Sequence, residues 1–182
     1  MKKLALLALS TALLSGTALA AGEPMVGGAP MYPSKTIVQN ASQAKNLTTL
    51  VSAVKEAGLV DTLSGPGPFT VFAPTNAAFD ELPKSTVAGL MKPDEKSKLK
   101  EILTYHVVAG KLDTAQLKAD VKKHDGKLAL KTVEGDTLTV TDHDGKLMLT
   151  DAKGGTAEIT TANVEQSNGI VQVINHVLMP NS

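Results

Sequence analysis

Apolar residues recur at helical spacing through the first half of the chain and alternate with polar ones through the second. Leu47, Leu50, Val51 and Val54 are spaced i, i+3, i+4, i+7, which predicts an amphipathic helix with Asn46 as its N-cap and Gly58 as its stop. Leu59, Val60 and Leu63 continue the apolar series. Val87, Leu90 and Met91 predict a short helix that Ser85 can cap. Pro93-Asp94-Glu95 is another start signal, because Pro suits the first turn and acids suit the positive end of the helix dipole. Behind it, Leu99, Ile102 and Leu103 share one face, while Lys96, Lys98, Lys100 and Glu101 fall mostly on the other. That lysine cluster reads as a solvated helix face rather than a docking site.

From about Lys127 the period becomes two: Leu128/Leu130, Leu138/Val140 and Leu147/Leu149 alternate with polar residues, the pattern of half-buried antiparallel strands. Asp144-Gly145 lies between two such runs and predicts a tight hairpin turn. Gly135-Asp136 and Gly154-Gly155 mark further turns. Ile170, Val171, Val173, Ile174, Val177 and Leu178 predict a densely apolar strand, central in its sheet. Helices first and strands later make an α+β fold.

The stretch from Gly65 to Pro83 joins the two regimes. Two Gly-Pro pairs end what precedes them. Phe69 to Phe72 is a β-branched and aromatic run suited to a sheet, and Ala73-Pro74 interrupts it. Thr75 is placed to cap a short helix through its hydroxyl; Asn76 follows it, and Phe79 and Leu82 fall three apart on one face before Pro83. All three Phe of the chain lie here.

The wording of this stretch, GPFTVFAPTNAAFDELP, resembles the first signature motif of the fasciclin (FAS1) domain family. LTYHVVAGKL, Leu103 to Leu112, resembles the central Tyr-His segment, and NGIVQVINHVLMP, Asn168 to Pro180, resembles the closing motif. The resemblance runs from about Val26 to Pro180. It implies a wedge of two β-sheets with a helical layer, in one unit rather than a tandem array. It also implies structural roles for Phe69, Phe72, Thr75, Asn76 and Phe79, and it makes Tyr105, His106, Val107 and Val108 interaction candidates. In animal matrix members of the family, the Tyr-His region is implicated in integrin binding. The structural alternative has His106, at a helix-to-strand junction, satisfying backbone groups with its ring nitrogens. The closing motif departs from common family wording, with Gln172 and Asn175 in place of His and Asp, so any pH-linked or metal-linked role of that strand does not carry over.

The ends and the composition narrow the function. Met1-Lys2-Lys3, the apolar run Leu4 to Leu14 and Ala18-Leu19-Ala20 have the order of a signal peptide with cleavage after Ala20. Residues 21–34, rich in Gly, Ala and Pro, read as an extended leader. Met25, Met31 and Tyr32 within it either lie on the domain or belong to a mobile tail. Residues 35–182 form the single domain. The chain has no Cys, hence neither disulfides nor a thiol for lipid attachment. Without Lys2 and Lys3, 16 basic residues face 18 acidic ones, a net charge near −2. All the basic residues are Lys, which argues against nucleic acid as a partner.

No nucleophile elbow, Walker loop, dinucleotide fingerprint or zinc-ligand pair is present, and His106, His124, His143 and His176 include no i, i+4 pair. Neither catalysis nor a cofactor is expected. Asp142-His143-Asp144-Gly145 fails the EF-hand register, which would place Val140 where a carboxylate is required, and reads as a hairpin turn. The Asn40 and Asn46 sequons read as ordinary helix-region residues. The expectation is an exported protein, periplasmic or extracellular, that mediates adhesion by binding protein or polysaccharide, without a transmembrane anchor after cleavage. The alternative, implied by carotenoid-binding relatives, is a carrier of an apolar small ligand such as a carotenoid or lipid. A methionine set, Met25, Met31, Met91, Met148 and Met179, would line its groove.

Overall fold

The computed structural model describes residues 23–181. The expected signal segment, residues 1–20, lies outside them.

A two-residue hairpin comes first, β1 (Met25–Val26) against β2 (Ala29–Pro30). It falls within the stretch expected as an extended leader, residues 21–34. Val26 and Met31 are buried in the core, whereas Met25 and Tyr32 stay at the surface. Two buried side chains favour packing over a free tail.

Five helices follow on one side: α1 (Ile37–Ala41), α2 (Thr48–Glu56), α3 (Val60–Ser64) and, after strand β3 (Phe69–Pro74), α4 (Asn76–Asp80) and α5 (Lys84–Leu90). The apolar stripe of α2 buries Leu50 and Val54 as its spacing requires. Its end also matches, since Gly58 has positive φ, its N–H bonds to Lys55 O, and Leu59 N–H bonds to Val54 O. That paired closure satisfies carbonyls the helix leaves open. The start differs. Leu47 occupies the N-cap position and makes no side-chain cap bond. Ser85 likewise lies inside α5, whose N-cap is Pro83.

Pro93–Glu95 forms a single 3-10 turn leading into α6 (Lys96–Tyr105), then β4 (Val107–Ala109). Next comes α7 (Thr114–Lys123), which the hydrophobic pattern did not announce. Its signal was polar: Asp113 accepts from Gln116 N–H while the Gln116 side chain accepts from Asp113 N–H, a reciprocal capping box.

The remaining strands are β5 (Lys127–Lys131), β6 (Thr137–His143), β7 (Lys146–Thr150), β8 (Thr156–Gln166) and β9 (Gly169–Ile174). The sheet order is β4-β3-β9-β8-β7-β6-β5, and β9 pairs parallel with β3. The first residues of β8 pair with β7 and the rest with β9, with register breaks between Ile159 and Val164. Such irregularities bend a strand, so β8 belongs to both leaves of a wedge. A bridge between Val108 and Thr132 brings the outer edges together. The dense apolar strand is central as expected, but it stops at Ile174, and Val177 and Leu178 are buried in an irregular closing segment.

The wedge separates two cores. Alternation along β3 sends Val71 and Ala73 toward the helices, while Phe72 points inward to Tyr105, Ile174 and Leu178. Gly169 sits where β9 meets β3 most closely. A Cβ there would lie 2.0 Å from Phe69 O, so only glycine fits this register.

Candidate functional site

The opening motif forms the joint between sheet and helices. Thr75 Oγ1 accepts from Ala78 N–H, capping α4 as its sequence position predicts. Asn76 reaches further. Its Oδ1 accepts from Thr49 N–H at 3.0 Å, and its Nδ2 donates to Lys45 O and to Thr48 Oγ1. The start of α2 is therefore capped from a helix 27 positions along the chain, which is why no local residue does the work. Phe72 and Phe79 are buried, and Phe69 is half-buried at the edge of the helix-side core.

The Tyr-His segment lies inside the molecule. Tyr105, His106, Val107 and Val108 are exposed by 0, 1, 3 and 4 %, so these four interaction candidates present almost no surface to a partner. Helix α6 ends at Tyr105, and His106 is its C-cap. His106 Nδ1 donates to Ile102 O at 2.8 Å, and Nε2 accepts from Leu178 N–H at 3.0 Å. This arrangement needs the neutral imidazole with its proton on Nδ1. Burial lowers the ring's pKa from 6.5 to about 4, although the Ile102 carbonyl and the Asp151 charge pull the other way.

Tyr105 Oη donates to Thr137 O and accepts from Ala152 N–H, both at 3.0 Å. Burial pushes its pKa up to about 12; the bond from Ala152 lowers it, and Asp151, Asp136 and Glu134 add to the rise. Beside it, the buried Asp151 receives Lys153 and Gly155 N–H on Oδ1 and Met179 N–H on Oδ2. The pair of ring residues thus ties α6 to the 151–155 turn and to the closing segment.

Gln172 and Asn175 keep hydrogen-bonding roles. The fully buried Gln172 accepts from Asn163 N–H and donates to Leu112 O and Asn163 Oδ1, while Asn175 Oδ1 accepts from Glu158 N–H. Sequence reasoning did not identify Asn163 or Asp151 as partners, because both meet their contacts across the fold. Asp142 Oδ1 accepts from Gly145 N–H within the β6–β7 hairpin, as the turn reading requires. Asn40 is buried and bonded to Tyr32 and to Gln166 Oε1.

The methionines do not converge. Met31 is interior, Met25 exposed, Met148 faces outward on β7, and Met91 and Met179 border separate hollows. An apolar crevice does exist between α1 and α2, lined by Ile37, Val38, Val51, Val54 and Leu103, with a volume of about 30 Å³. The larger cleft lies between α3, α6 and the turn after β5. It holds about 530 Å³ and is bordered by Thr62, Ser97, Lys100, Glu101 and Glu134, with the exposed Val133 at its edge.

The family model described as Fasciclin domain matches residues 45–180. A Synechocystis protein, sll1483, is 43% identical over 145 residues, covering 80% of this chain and 73% of its own. The cell surface glycolipoprotein MPB83 of Mycobacterium bovis is 39% identical over 145 residues, 77% of this chain and 58% of that protein. Among solved structures, a FAS1 domain pair from the insect cell adhesion molecule Fasciclin I superposes with a TM-score of 0.71 at 19% identity. That match covers 80% of this chain and 51% of the insect one, and it shows the shared fold.

Proposed function

The chain belongs to the fasciclin domain family, and on that premise we propose that it is an exported, non-enzymatic adhesion module of the periplasm or cell exterior. Its partner on this reading is a protein or polysaccharide of the envelope. The carrying observation is the open cleft between α3 and α6: at about 530 Å³ it is roomy, and its Thr, Ser, Lys and Glu side chains offer donors and acceptors beside the apolar Leu59 and Val133. Most of the family's motif residues lie buried, so on this reading recognition falls to the exposed surface outside them. The cell-surface description of MPB83 supports export. Among the described residues no helix is long and apolar enough to cross a membrane.

The test is saturable binding of the purified exported protein to envelopes of the producing cell, before and after protease or periodate treatment. We expect binding that one of the two treatments abolishes. Lys100→Glu and Val133→Asp should each weaken it by about tenfold while leaving the melting midpoint unchanged. Absence of saturable binding would sink the adhesion reading.

The second reading, an apolar ligand carrier, draws on the α1–α2 crevice. Its volume of about 30 Å³ compares poorly with the roughly 300–1,000 Å³ of drug-sized ligand sites, so a carotenoid would require the helices to part. Visible absorbance and extractable lipid in the exported protein decide it, and a colourless, lipid-free preparation eliminates it.

A further inference from the structure

The segment after β9, residues 175–181, has no regular structure, yet Val177 and Leu178 are fully packed. Regular secondary structure would satisfy its backbone amides locally. Here side chains from three other places do so, and a fourth pairs with a side chain of the segment. Leu178 N–H donates to His106 Nε2 at 3.0 Å, Met179 N–H to Asp151 Oδ2 at 2.9 Å, and Asn181 N–H to Asp136 Oδ2 at 2.9 Å. His176 Nδ1 lies 2.6 Å from Glu81 Oε2. Every one of these anchors is titratable.

We propose that residues 175–181 form an acid-released strap, held on the domain by His106, Asp151, Asp136 and Glu81 and let go as a unit when they take up protons. The chemistry is direct. Protonated imidazole carries N–H on both ring nitrogens, so Nε2 of a protonated His106 would face the Leu178 N–H donor to donor. A carboxylate accepts a backbone N–H as a charged group, and protonation removes that charge assistance.

Other charged groups face the strap. Lys98 of α6 and Lys153 of the β7–β8 turn border Met179 and Pro180. The Tyr105 hydroxyl stays neutral throughout the acid range. Glu134 acts through its charge on Tyr105, and Glu158, paired with Lys146, meets Asn175 through its backbone. Glu158 O accepts from Asn175 N–H at every pH and so roots the strap at its start, and none of the others offers the amides of Leu178, Met179 and Asn181 a replacement acceptor. The low affinity of buried His106 for protons places its part of the release well below neutral pH. Releasing the strap withdraws Leu178 from the inner core, where it packs with Phe72 and Tyr105.

The experiment is amide hydrogen exchange of the full chain, read residue by residue by NMR between pH 7 and pH 3.5 and corrected for intrinsic rates. We expect Leu178, Met179 and Asn181 to lose protection together, by about tenfold or more, while Val173 and Leu149 keep theirs. Asp136→Asn and His106→Gln retain an acceptor that cannot titrate in this range, so each should move the loss to lower pH. Asp136 is half-buried in the turn after β5, outside both cores, which keeps the test open if His106→Gln fails to fold. Strap amides that stay protected to pH 3.5 would overturn the proposal. So would strap and sheet losing protection at the same pH, or a midpoint indifferent to Asp136→Asn.

Discussion

His106 shows how a residue can be prominent in a motif and still be spent on structure. Its ring bridges Ile102 O and Leu178 N–H from a position 1 % exposed. The folded protein holds its pKa near 4, against about 6.5 in the unfolded chain. Because that value is depressed for a base, the unfolded state binds the proton first as pH falls. Stability from this residue is complete above about pH 6.5, declines between 6.5 and 4, and declines no further below that. The loss is on the order of 3 kcal/mol. Urea midpoints at pH 7, 5.5 and 4 should therefore fall more steeply for the natural protein than for His106→Gln, and parallel slopes would contradict the buried neutral ring. The junction role was legible in the sequence, since a His among apolar neighbours at a helix end must satisfy its nitrogens. The identity of Leu178 as partner was not, because 72 positions separate the two. Gln172 follows the same logic: its polarity was visible, while its partners Asn163 and Leu112 depend on how β8 bends.

At the scale of elements, local signals succeeded where a cap and its helix are contiguous and failed where they are not. Thr75 caps α4 as its position implies. Asn46, an apt residue in the apt place, does not cap α2, because Asn76 supplies the acceptor from α4. The difference is measurable. Thr75→Ala removes one acceptor and should cost about 1 kcal/mol. Asn76→Ala breaks the bonds to Thr49 N–H, Lys45 O and Thr48 Oγ1 at once and should cost about 2 kcal/mol or more. Urea denaturation of both variants gives the order, and a costlier Thr75→Ala would mean that the tie between α2 and α4 carries little. The strands show the same division. The clean alternation of β5, β6 and β7 appears as burial on every second residue. Strand β8 escaped notice because its register breaks disrupt period two in the very stretch where it passes between the two leaves.

For the whole molecule, helices before strands were enough to indicate an α+β fold, while the wedge of two sheets was implied by the resemblance of the three motifs to the family. What the pattern could not reveal is that β3 divides two cores rather than lining one. Val71 belongs to the core under the helices, and Phe72 to the core inside the wedge with Tyr105 and Leu178. Phe72→Ala empties a fully buried aromatic site and should cost about 3–5 kcal/mol. Val71→Ala, losing two methyl groups, should cost about 2 kcal/mol. Adjacent residues ordinarily couple when mutated together, through shared partners or backbone shifts. Here the two side chains leave opposite faces of a strand fixed on both edges, by β4 on one side and β9 on the other. The double variant should therefore show the sum of the single costs to within about 0.5 kcal/mol. Urea midpoints of the three variants, with slopes checked for constancy, measure this. A larger coupling would mean that β3 shifts when either side is emptied, making the two cores one mechanical unit, and a near-neutral Phe72→Ala would place that ring at the surface instead.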